Sequence, residues 1–406
     1  MANKILKVKT GRDWSVRRGH PWLFSGALQN PPRELEPGSL VDLADSEGNF
    51  LARGYYNPRT DIAVRVLTRN EGEAIDGAFL RRRVQQALQL RHLAFDLAET
   101  DVYRLINAEG DFLPGAIVDY YAGVLVVQSH TAGLDHLLEP LIEALQEVIQ
   151  PSGILLRNDV PVRGREGVAK EEPRLIYGTV PEEITVRENG RRFVVNLWKG
   201  QKTGFFTDQR DKRQMLGRYA PGLPHSPGEP PVLLNCFSYS AGFSIYAALA
   251  NPQLKSVNVD QSAVALELAR QNFELNQLDP ARHEFVTSEV FKFLQAETER
   301  GTRYAGVILD PPAFAKSQRD KEQALKGYTR LNSLGLSLVA PGGLLITCSC
   351  SGGINLEEFL SCLREAGAKD QRDLQVVETF ENAPDHPYNL AALEGRYLKV
   401  LFCRVI

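Results

Sequence analysis

The sequence predicts an α/β chain: a doubly wound parallel sheet at the C-terminus, a small α+β middle domain, and a β-barrel at the N-terminus. Three observations carry this. From Val232 onward strand-like and helix-like runs alternate, as parallel βα units require. Residues 218–231, RYAPGLPHSPGEPP, hold 5 prolines in 14 residues, which no helix or central strand survives, so they read as a surface connector. Residues 4–69 instead break into short β segments separated by Pro, Gly and Asn turns. At 406 residues the chain exceeds one ordinary core, and the expected domains are 1–71, 72–190 and 191–406.

Within the first domain ILKVKT, SLVDLAD, NFLARGYY and IAVRVLT read as strands, with Arg17, Arg18, Arg53, Arg65 and Arg69 expected on the barrel surface. From Gly77 the spacing turns helical, with Phe79, Val84, Leu88 and Leu93 near i, i+4 positions and Arg81-Arg82-Arg83 read as a solvated face, an RNA contact being the alternative. Ala116–Asp119 and Val124–Ser129 form a hairpin around Tyr120–Gly123, and Leu134–Ile149 reads as one helix. Strands follow at Ile154–Arg157, Glu183–Glu188 and Arg192–Leu197. Beyond the connector the strands are Val232–Asn235, Ser256–Asp260, His283–Thr287, Ala305–Asp310 and Gly343–Cys348. The helices between them are Phe243–Ala250, Ala263–Asn276, Val290–Thr298 and Arg319–Val339.

Composition narrows the function. With 43% apolar and 24% charged residues the chain is neither disordered nor fibrous. No apolar run approaches the ~18–20 residues that cross a bilayer, and the N-terminus lacks the apolar core of a signal peptide, so no membrane partner is expected. Five cysteines without a C-x-x-C pair give neither a disulfide framework nor a zinc site, and the histidines lack ligand spacing. A reducing cytoplasm and no metal are expected. Residues 1–70 hold 11 Lys/Arg against 7 Asp/Glu, a net of +4, while the rest of the chain carries −7. A basic N-terminal module points to a polyanionic partner.

In a doubly wound, Rossmann-like sheet, ligands sit beyond the carboxyl ends of the strands. The first strand runs into Asn235-Cys236-Phe237-Ser238-Tyr239-Ser240-Ala241-Gly242, where a single glycine is a poor match to a dinucleotide fingerprint. The second ends in Asp260, a carboxylate able to accept both hydroxyls of a ribose; Ser288-Glu289, after the third, offers an acceptor for an adenine amino group. The fourth gives Asp310-Pro311-Pro312-Ala313-Phe314-Ala315-Lys316-Ser317, a rigid lip that presents a carboxylate to the polar edge of a flat heterocycle. Ala313 stands where methylation of an exocyclic amine would call for an aromatic residue. The fifth ends in Thr347-Cys348-Ser349-Cys350-Ser351, and a cysteine at the mouth of such a sheet is a ready nucleophile, Cys350 foremost.

These residues resemble class I S-adenosylmethionine-dependent methyltransferases, and more closely the RlmI-type large-subunit ribosomal RNA cytosine-C5 methyltransferases. The resemblance covers nearly the whole chain. It runs through His20-Pro21-Trp22-Leu23-Phe24-Ser25-Gly26, in a region like that family's PUA domain, and Glu109-Gly110-Asp111-Phe112-Leu113-Pro114-Gly115. It continues through Gly200-Gln201-Lys202-Thr203-Gly204-Phe205-Phe206-Thr207-Asp208-Gln209-Arg210, the Asp310 lip, the Cys348–Cys350 strand end and Ala383-Pro384-Asp385-His386-Pro387.

The resemblance implies S-adenosylmethionine as cofactor, held by Asn235, Phe237, Tyr239, Gly242, Asp260 and Glu289, with Asp208 and Arg210 near its methionine end and Asp310 between cofactor and base. It implies Cys350 as nucleophile, with Cys348 an extra cysteine that leaves the choice open. It implies large-subunit ribosomal RNA as partner, met by Arg17, Arg18, Lys202, Phe314 and Lys316. Two departures stand out: Ala241 occupies a place where the family often has glycine, and Glu289 replaces an aspartate. The chemistry explains the cysteine: cytosine C5 takes a sulfonium methyl only after a thiolate has added at C6. Methylation of another rRNA base, or an idle methyltransferase fold serving as an RNA-binding assembly factor, are the competing readings. A homodimer is compatible with the sequence.

Overall fold

The computed structural model describes residues 3–315 and 320–406. The chain divides into two compact units: Met1–Gly190 with Val195–Thr207 and Pro384–Gly395, and Arg191–Val194 with Asp208–Ala383 and Arg396–Ile406.

The first unit holds two five-stranded sheets. In one, the strands Lys4–Lys7, Ser39–Ala44, Phe50–Tyr56, Ile62–Thr68 and Trp22–Phe24 lie in that spatial order around a core that includes Val8, Leu23, Val41, Leu43 and Val64. Trp22–Phe24 and the helical turn Trp14–Arg17 go beyond the elements expected from sequence. One expectation is overturned: Arg65 does not reach the surface. It is 8% exposed, and its guanidinium donates to Glu166 Oε1 at 2.7 Å. It lies in a strand buried along nearly its whole length, where a cation is tolerated only when paired.

The other sheet orders Arg174–Gly178, Gly153–Leu156, Val124–Ser129, Ala116–Tyr121 and Val102–Asn107. The helix Gly77–Ala94 starts at Asp76, whose carboxylate accepts the Phe79 N–H at 2.9 Å. Phe79, Leu80, Val84, Ala87 and Arg91 form its buried face. Leu93 is 86% exposed, another departure from the expected pattern. Two residues beyond Arg91 it lies about 200° around the helix, on the far side. The basic triplet is engaged within the chain: Arg81 pairs with Glu147, Arg82 with Glu73, and Arg83 donates to the Leu67 carbonyl. The single helix expected over 134–149 is two, Ala132–His136 and Leu138–Ile149. Pro140 explains the break, because it has no N–H to donate to the His136 carbonyl and its ring crowds that carbonyl in a continuous helix.

Arg91, fully buried, binds Asp111 through both guanidinium arms and also donates to the carbonyls of Arg104 and Asp385. Asp385 returns a carboxylate oxygen to the Arg104 N–H at 3.0 Å, and Asn107 donates to the Pro387 carbonyl at 2.9 Å. A Cβ on Gly110 would lie 1.9 Å from that same carbonyl, so only glycine fits there.

The second unit is built on one seven-stranded sheet. Its strands are β1 (Val232–Cys236), β2 (Lys255–Asp260), β3 (Glu284–Thr287), β4 (Tyr304–Leu309), β5 (Val339–Ser349), β6 (Leu374–Phe380) and β7 (Lys399–Val405). They lie in the order β3-β2-β1-β4-β5-β7-β6. β1 to β5 are parallel, whereas β7 runs antiparallel between β5 and β6. The helices are α1 (Arg210–Tyr219), α2 (Gly242–Ala250), α3 (Ala263–Leu275), α4 (Val290–Arg300), α5 (Lys321–Ser337) and α6 (Leu356–Asp370). The doubly wound parallel sheet expected from sequence is present, extended by an antiparallel pair.

Side-chain alternation along the central strands creates two cores. Leu234, Cys236, Val307, Leu309 and Leu345 pack on one face with Tyr328, Leu331 and Phe359. Leu233, Ile308, Leu344, Ile346 and Cys348 pack on the other with Phe243 and Ala247.

The Arg91–Asp111 pair generates a stability prediction. Arg91→Ala leaves a buried carboxylate uncompensated and should cost about 3–5 kcal/mol. Arg91→Met combined with Asp111→Leu should recover a good part of that loss. Urea unfolding followed by circular dichroism measures both; equal losses in the single and double variants would refute this account.

Candidate active site

The turn after β1 is unusual in its backbone. Phe237, Tyr239 and Ala241 have φ of +58°, +46° and +57°, so three non-glycine residues are left-handed at every second position. Each such residue costs on the order of 1 kcal/mol or more and persists only where its surroundings enforce it. Asp260, at the end of β2, enforces this one. Its Oδ2 accepts the Tyr239 N–H at 3.0 Å and its Oδ1 accepts the Ser262 N–H at 2.9 Å. Gly242 opens α2, and a Cβ there would lie 2.8 Å from Arg213 Cδ.

Behind the turn a buried relay of side chains crosses β1 and β2. Asn235 Nδ2 donates to Ser244 Oγ at 3.0 Å, Ser244 Oγ to Asn258 Oδ1 at 2.6 Å, and Asn258 Nδ2 to Ser256 Oγ at 2.9 Å. Ser256 Oγ lies 2.9 Å from His283 Nδ1, which also accepts the Ser256 N–H at 3.1 Å. In the turn itself the buried Ser238 Oγ has no partner among the described residues.

Glu289 stands at the head of α4, after β3. Both carboxylate oxygens are used there, accepting from the Phe291 and Lys292 N–H groups at 3.0 and 2.9 Å. The longer side chain thus folds back as a helix cap.

After β4, Gln209 Nε2 donates to Asp310 Oδ1 at 3.0 Å, and the buried Gln209 Oε1 has no partner among the described residues. Asp208 is buried and accepts the Tyr397 hydroxyl at 2.7 Å, while its carbonyl takes the Lys212 ammonium at 2.8 Å. Arg210 is buried at the start of α1. The Phe314 ring lies 4.6 Å from Tyr328 and 6.3 Å from Phe291, packed on the hydrophobic core. Lys316 lies outside the described residues.

The two cysteines at the end of β5 differ sharply. Cys348 is fully buried, and burial pushes its thiol well above the ordinary range, the Asp310 carboxylate adding to the effect while Gln209 and Lys212 oppose it. Cys350 follows the last strand residue, is half-buried, and directs its Sγ at the Pro311 carbonyl, 3.8 Å away. Across the sheet, Lys399 of β7 pairs in register with Ser349, and its ammonium donates to the carbonyls of Ser351 and Tyr397 at 2.7 and 2.8 Å.

The second unit therefore holds Asn235, Phe237, Tyr239, Gly242, Asp260, Glu289, Asp310, Cys348 and Cys350 at or just beyond the carboxyl ends of the strands, and Asp208 and Arg210 around the start of α1. Arg17, Arg18 and Lys202 belong to the first unit. Arg17 bonds Asp13 and Asp45, the Arg18 guanidinium lies 5.6 Å from the ring centre of exposed Trp14, and the Lys202 ammonium lies 4.3 Å from that of Phe206. Sequence reasoning passed over Gln209, Ser238 and Lys399. Gln209 sits inside the Asp-Gln-Arg string, and a lone lysine in Leu398-Lys399-Val400-Leu401-Phe402 was a legible signal. Among the described residues no cluster of His, Cys, Asp and Glu is suited to a metal, and no helix is long and apolar enough to cross a membrane.

Comparison with known proteins identifies the family and the fold. Residues 166–403 match the family of S-adenosylmethionine-dependent methyltransferases, and residues 6–69 match a PUA-like domain. A Salmonella arizonae protein named ribosomal RNA large subunit methyltransferase I is 39% identical over 401 residues, covering 99% of this chain and 97% of its own. A Pseudoalteromonas atlantica protein of the same name is 37% identical over the full length of both. Among solved structures, a candidate SAM-dependent methyltransferase from Streptococcus mutans shares the fold with a TM-score of 0.82 at 24% identity, over 99% of this chain and 100% of that one. The methyltransferase-like SMU.776, solved with SAH, gives 0.83 at 23% identity over the same shares.

The burial pattern predicts cysteine reactivity. Cys350 should be the cysteine alkylated by iodoacetamide in the native protein near neutral pH, because Cys236, Cys348, Cys362 and Cys403 are buried with thiols pushed up. Peptide mass spectrometry reads the labelled site, and prompt labelling of Cys348 in the folded chain would contradict the assignment.

Proposed function

This chain belongs to the S-adenosylmethionine-dependent methyltransferase family and carries a PUA-like domain, and we propose that it methylates C5 of a cytosine in large-subunit ribosomal RNA. The observation that carries the reading is the placement of Cys350 beside the Asp310-Pro311-Pro312 lip. Full-length relatives named for methylation of large-subunit ribosomal RNA supply the substrate class.

The residues fit the cofactor. Asp260 already holds the turn that would receive it, and Ser238 Oγ and Gln209 Oε1 are buried polar atoms that await a partner. Asn235, Phe237, Tyr239 and Gly242 shape that turn, while Asp208 and Arg210 stand at the start of the unit for its methionine end. Glu289 serves the adenine side through the helix terminus it caps. Bound there, S-adenosylmethionine would supply an electrophilic methyl group.

The chain's own residues prepare the base. The Cys350 thiolate forms a bond to C6, and electron density moves to C5, making that carbon the methyl acceptor. Asp310, oriented by Gln209, accepts a hydrogen bond from the N4 amine of the cytosine and holds the ring in place for attack at C6. Loss of the C5 proton then re-forms the double bond and expels the thiolate. Cys348, buried and held neutral, is a packing residue in this scheme. The cytosine must leave its stack to reach the lip, so the RNA is met as an open or flipped segment. Arg17, Arg18, Lys202, Phe314 and Lys316 are assigned to the RNA, with the PUA-like domain contacting phosphates without reading sequence. The proposal places the domain limits at 1–71, 72–190 and 191–406 and the protein in the cytoplasm.

Transfer of labelled methyl from S-adenosylmethionine to unmodified large-subunit rRNA, with digestion to nucleosides, tests it. The label should appear in 5-methylcytidine. Cys350→Ala should lose activity by about a thousandfold or more, and Cys348→Ala should stay within about tenfold of the parent. Label in another nucleoside, or an active Cys350→Ala variant, would remove the thiolate from the mechanism.

A further inference from the structure

Lys399 is 4% exposed and opens a strand whose next four residues, Val400 to Cys403, are buried and apolar. Among the described residues no carboxylate lies within ion-pair distance of its ammonium. The acidic groups that act on it are committed elsewhere: Glu358 of α6 pairs with Lys321, and Glu381 pairs with Arg396. Two of the three ammonium protons go to the carbonyls of Ser351 and Tyr397, which pins the nitrogen against the peptide that follows Cys350. A buried ammonium without a counter-ion is expensive, and one beside an ionisable thiol gains its partner when that thiol deprotonates.

We propose that Lys399 is a positioning residue for the Cys350 thiolate: an immobile buried cation, fixed by two carbonyls at the end of β5 and β7, that favours the ionised form of the sulfur. This inference rests on Cys350 being the nucleophile of the methyl transfer.

Electrostatics supports the geometry. Burial lowers the Lys399 ammonium to about 8, and among the charged groups opposing that shift Cys350 stands first, ahead of Glu358 and Glu381. Of the described ionisable groups around the strand end, burial pushes the Tyr328 phenol of α5 up, which keeps it neutral, and Asp310 bears a carboxyl group that accepts from Gln209. The sign follows. Below about 8 the lysine is charged and stabilises the thiolate; as pH rises through that value the help is withdrawn.

The test is the pH dependence of iodoacetamide alkylation at Cys350 in the full chain, read by peptide mass spectrometry. In the parent protein the midpoint should fall about one pH unit below that of a free cysteine, at ~8.5. Lys399→Met should raise it by about one unit or more, and Lys399→Arg should keep most of the depression. Methyl transfer by Lys399→Met should fall about tenfold near neutral pH and recover as pH is raised, which a merely structural lysine would not produce. A parent midpoint at or above that of free cysteine overturns the inference without any variant having to fold. An unchanged midpoint in a folded Lys399→Met protein overturns it too, even when Cys350→Ala is inactive. If Lys399→Met shifts the midpoint while Cys350→Ala remains active, the electrostatic coupling stands and the nucleophile reading is the one that fails.

Discussion

The site hangs from a buried line of hydrogen bonds through Asn235, Ser244, Asn258, Ser256 and His283. Burying so many polar groups is favourable only if each finds a partner, since one orphan costs about 1–3 kcal/mol. A one-residue slip of β2 against β1 or β3 would turn Asn258 and Ser256 to the wrong face and break the line, so the relay fixes register as well as contributing stability. It also requires a neutral histidine. Burial lowers His283 to about 4, which keeps its Nδ1 available to accept the Ser256 N–H. A depressed histidine contributes stability that is present above its unfolded value and is lost as pH falls toward 4. Register fixed in this way sets Asp260 opposite the β1 turn, and Asp260 holds that turn in its strained form.

Two cysteines on the same face of β5, separated by one residue, differ in kind because the strand ends between them. Cys348 still belongs to β5, takes a core position beside Ile346 and Leu344, and is held neutral. Cys350 falls just past Ser349, where the ladder stops, so its sulfur sits at the rim beside the proline lip. A thiol is a nucleophile only as the thiolate. Two residues of chain therefore separate a packing residue from a candidate nucleophile, and the end of the strand makes the difference.

The parallel βα core was legible because each buried strand is a short apolar run and each helix a longer periodic one. β6, β7 and α6 were not placed by that reading. LQVVETF carries exposed valines and two-sided polarity, and it becomes a strand through its pairing with β7. Asp260 and Asp310 could be singled out because strand ends are where ligands meet such a sheet. The role of Glu289 as a helix cap depends on where its longer side chain turns, and the protection of Arg65 depends on Glu166, 101 residues away in sequence. Tertiary partners of this sort leave no local trace. Lys399 did leave one, a charge directly before the apolar run Val400–Cys403, although only the structure shows that no carboxylate among the described residues pairs with it.

The strings that carried the family resemblance divide into two physical kinds. Asp310-Pro311-Pro312 and Cys348-Ser349-Cys350 lie at the strand ends and bear on chemistry. Glu109-Gly110-Asp111 and Pro384-Asp385-His386-Pro387 lock to each other within the first unit through Arg91, Asn107 and the tight approach of Gly110 to Pro387. The Gly200–Arg210 string combines both kinds. Thr203 bonds Asp119 and Tyr121 in the first unit, whereas Asp208 and Gln209 stand in the second, with Gln209 on Asp310. A motif that reads as one block in sequence thus serves a structural joint at one end and the site at the other. Substitutions along it should separate accordingly, those near Thr203 acting on stability and those at Gln209 on the orientation of Asp310.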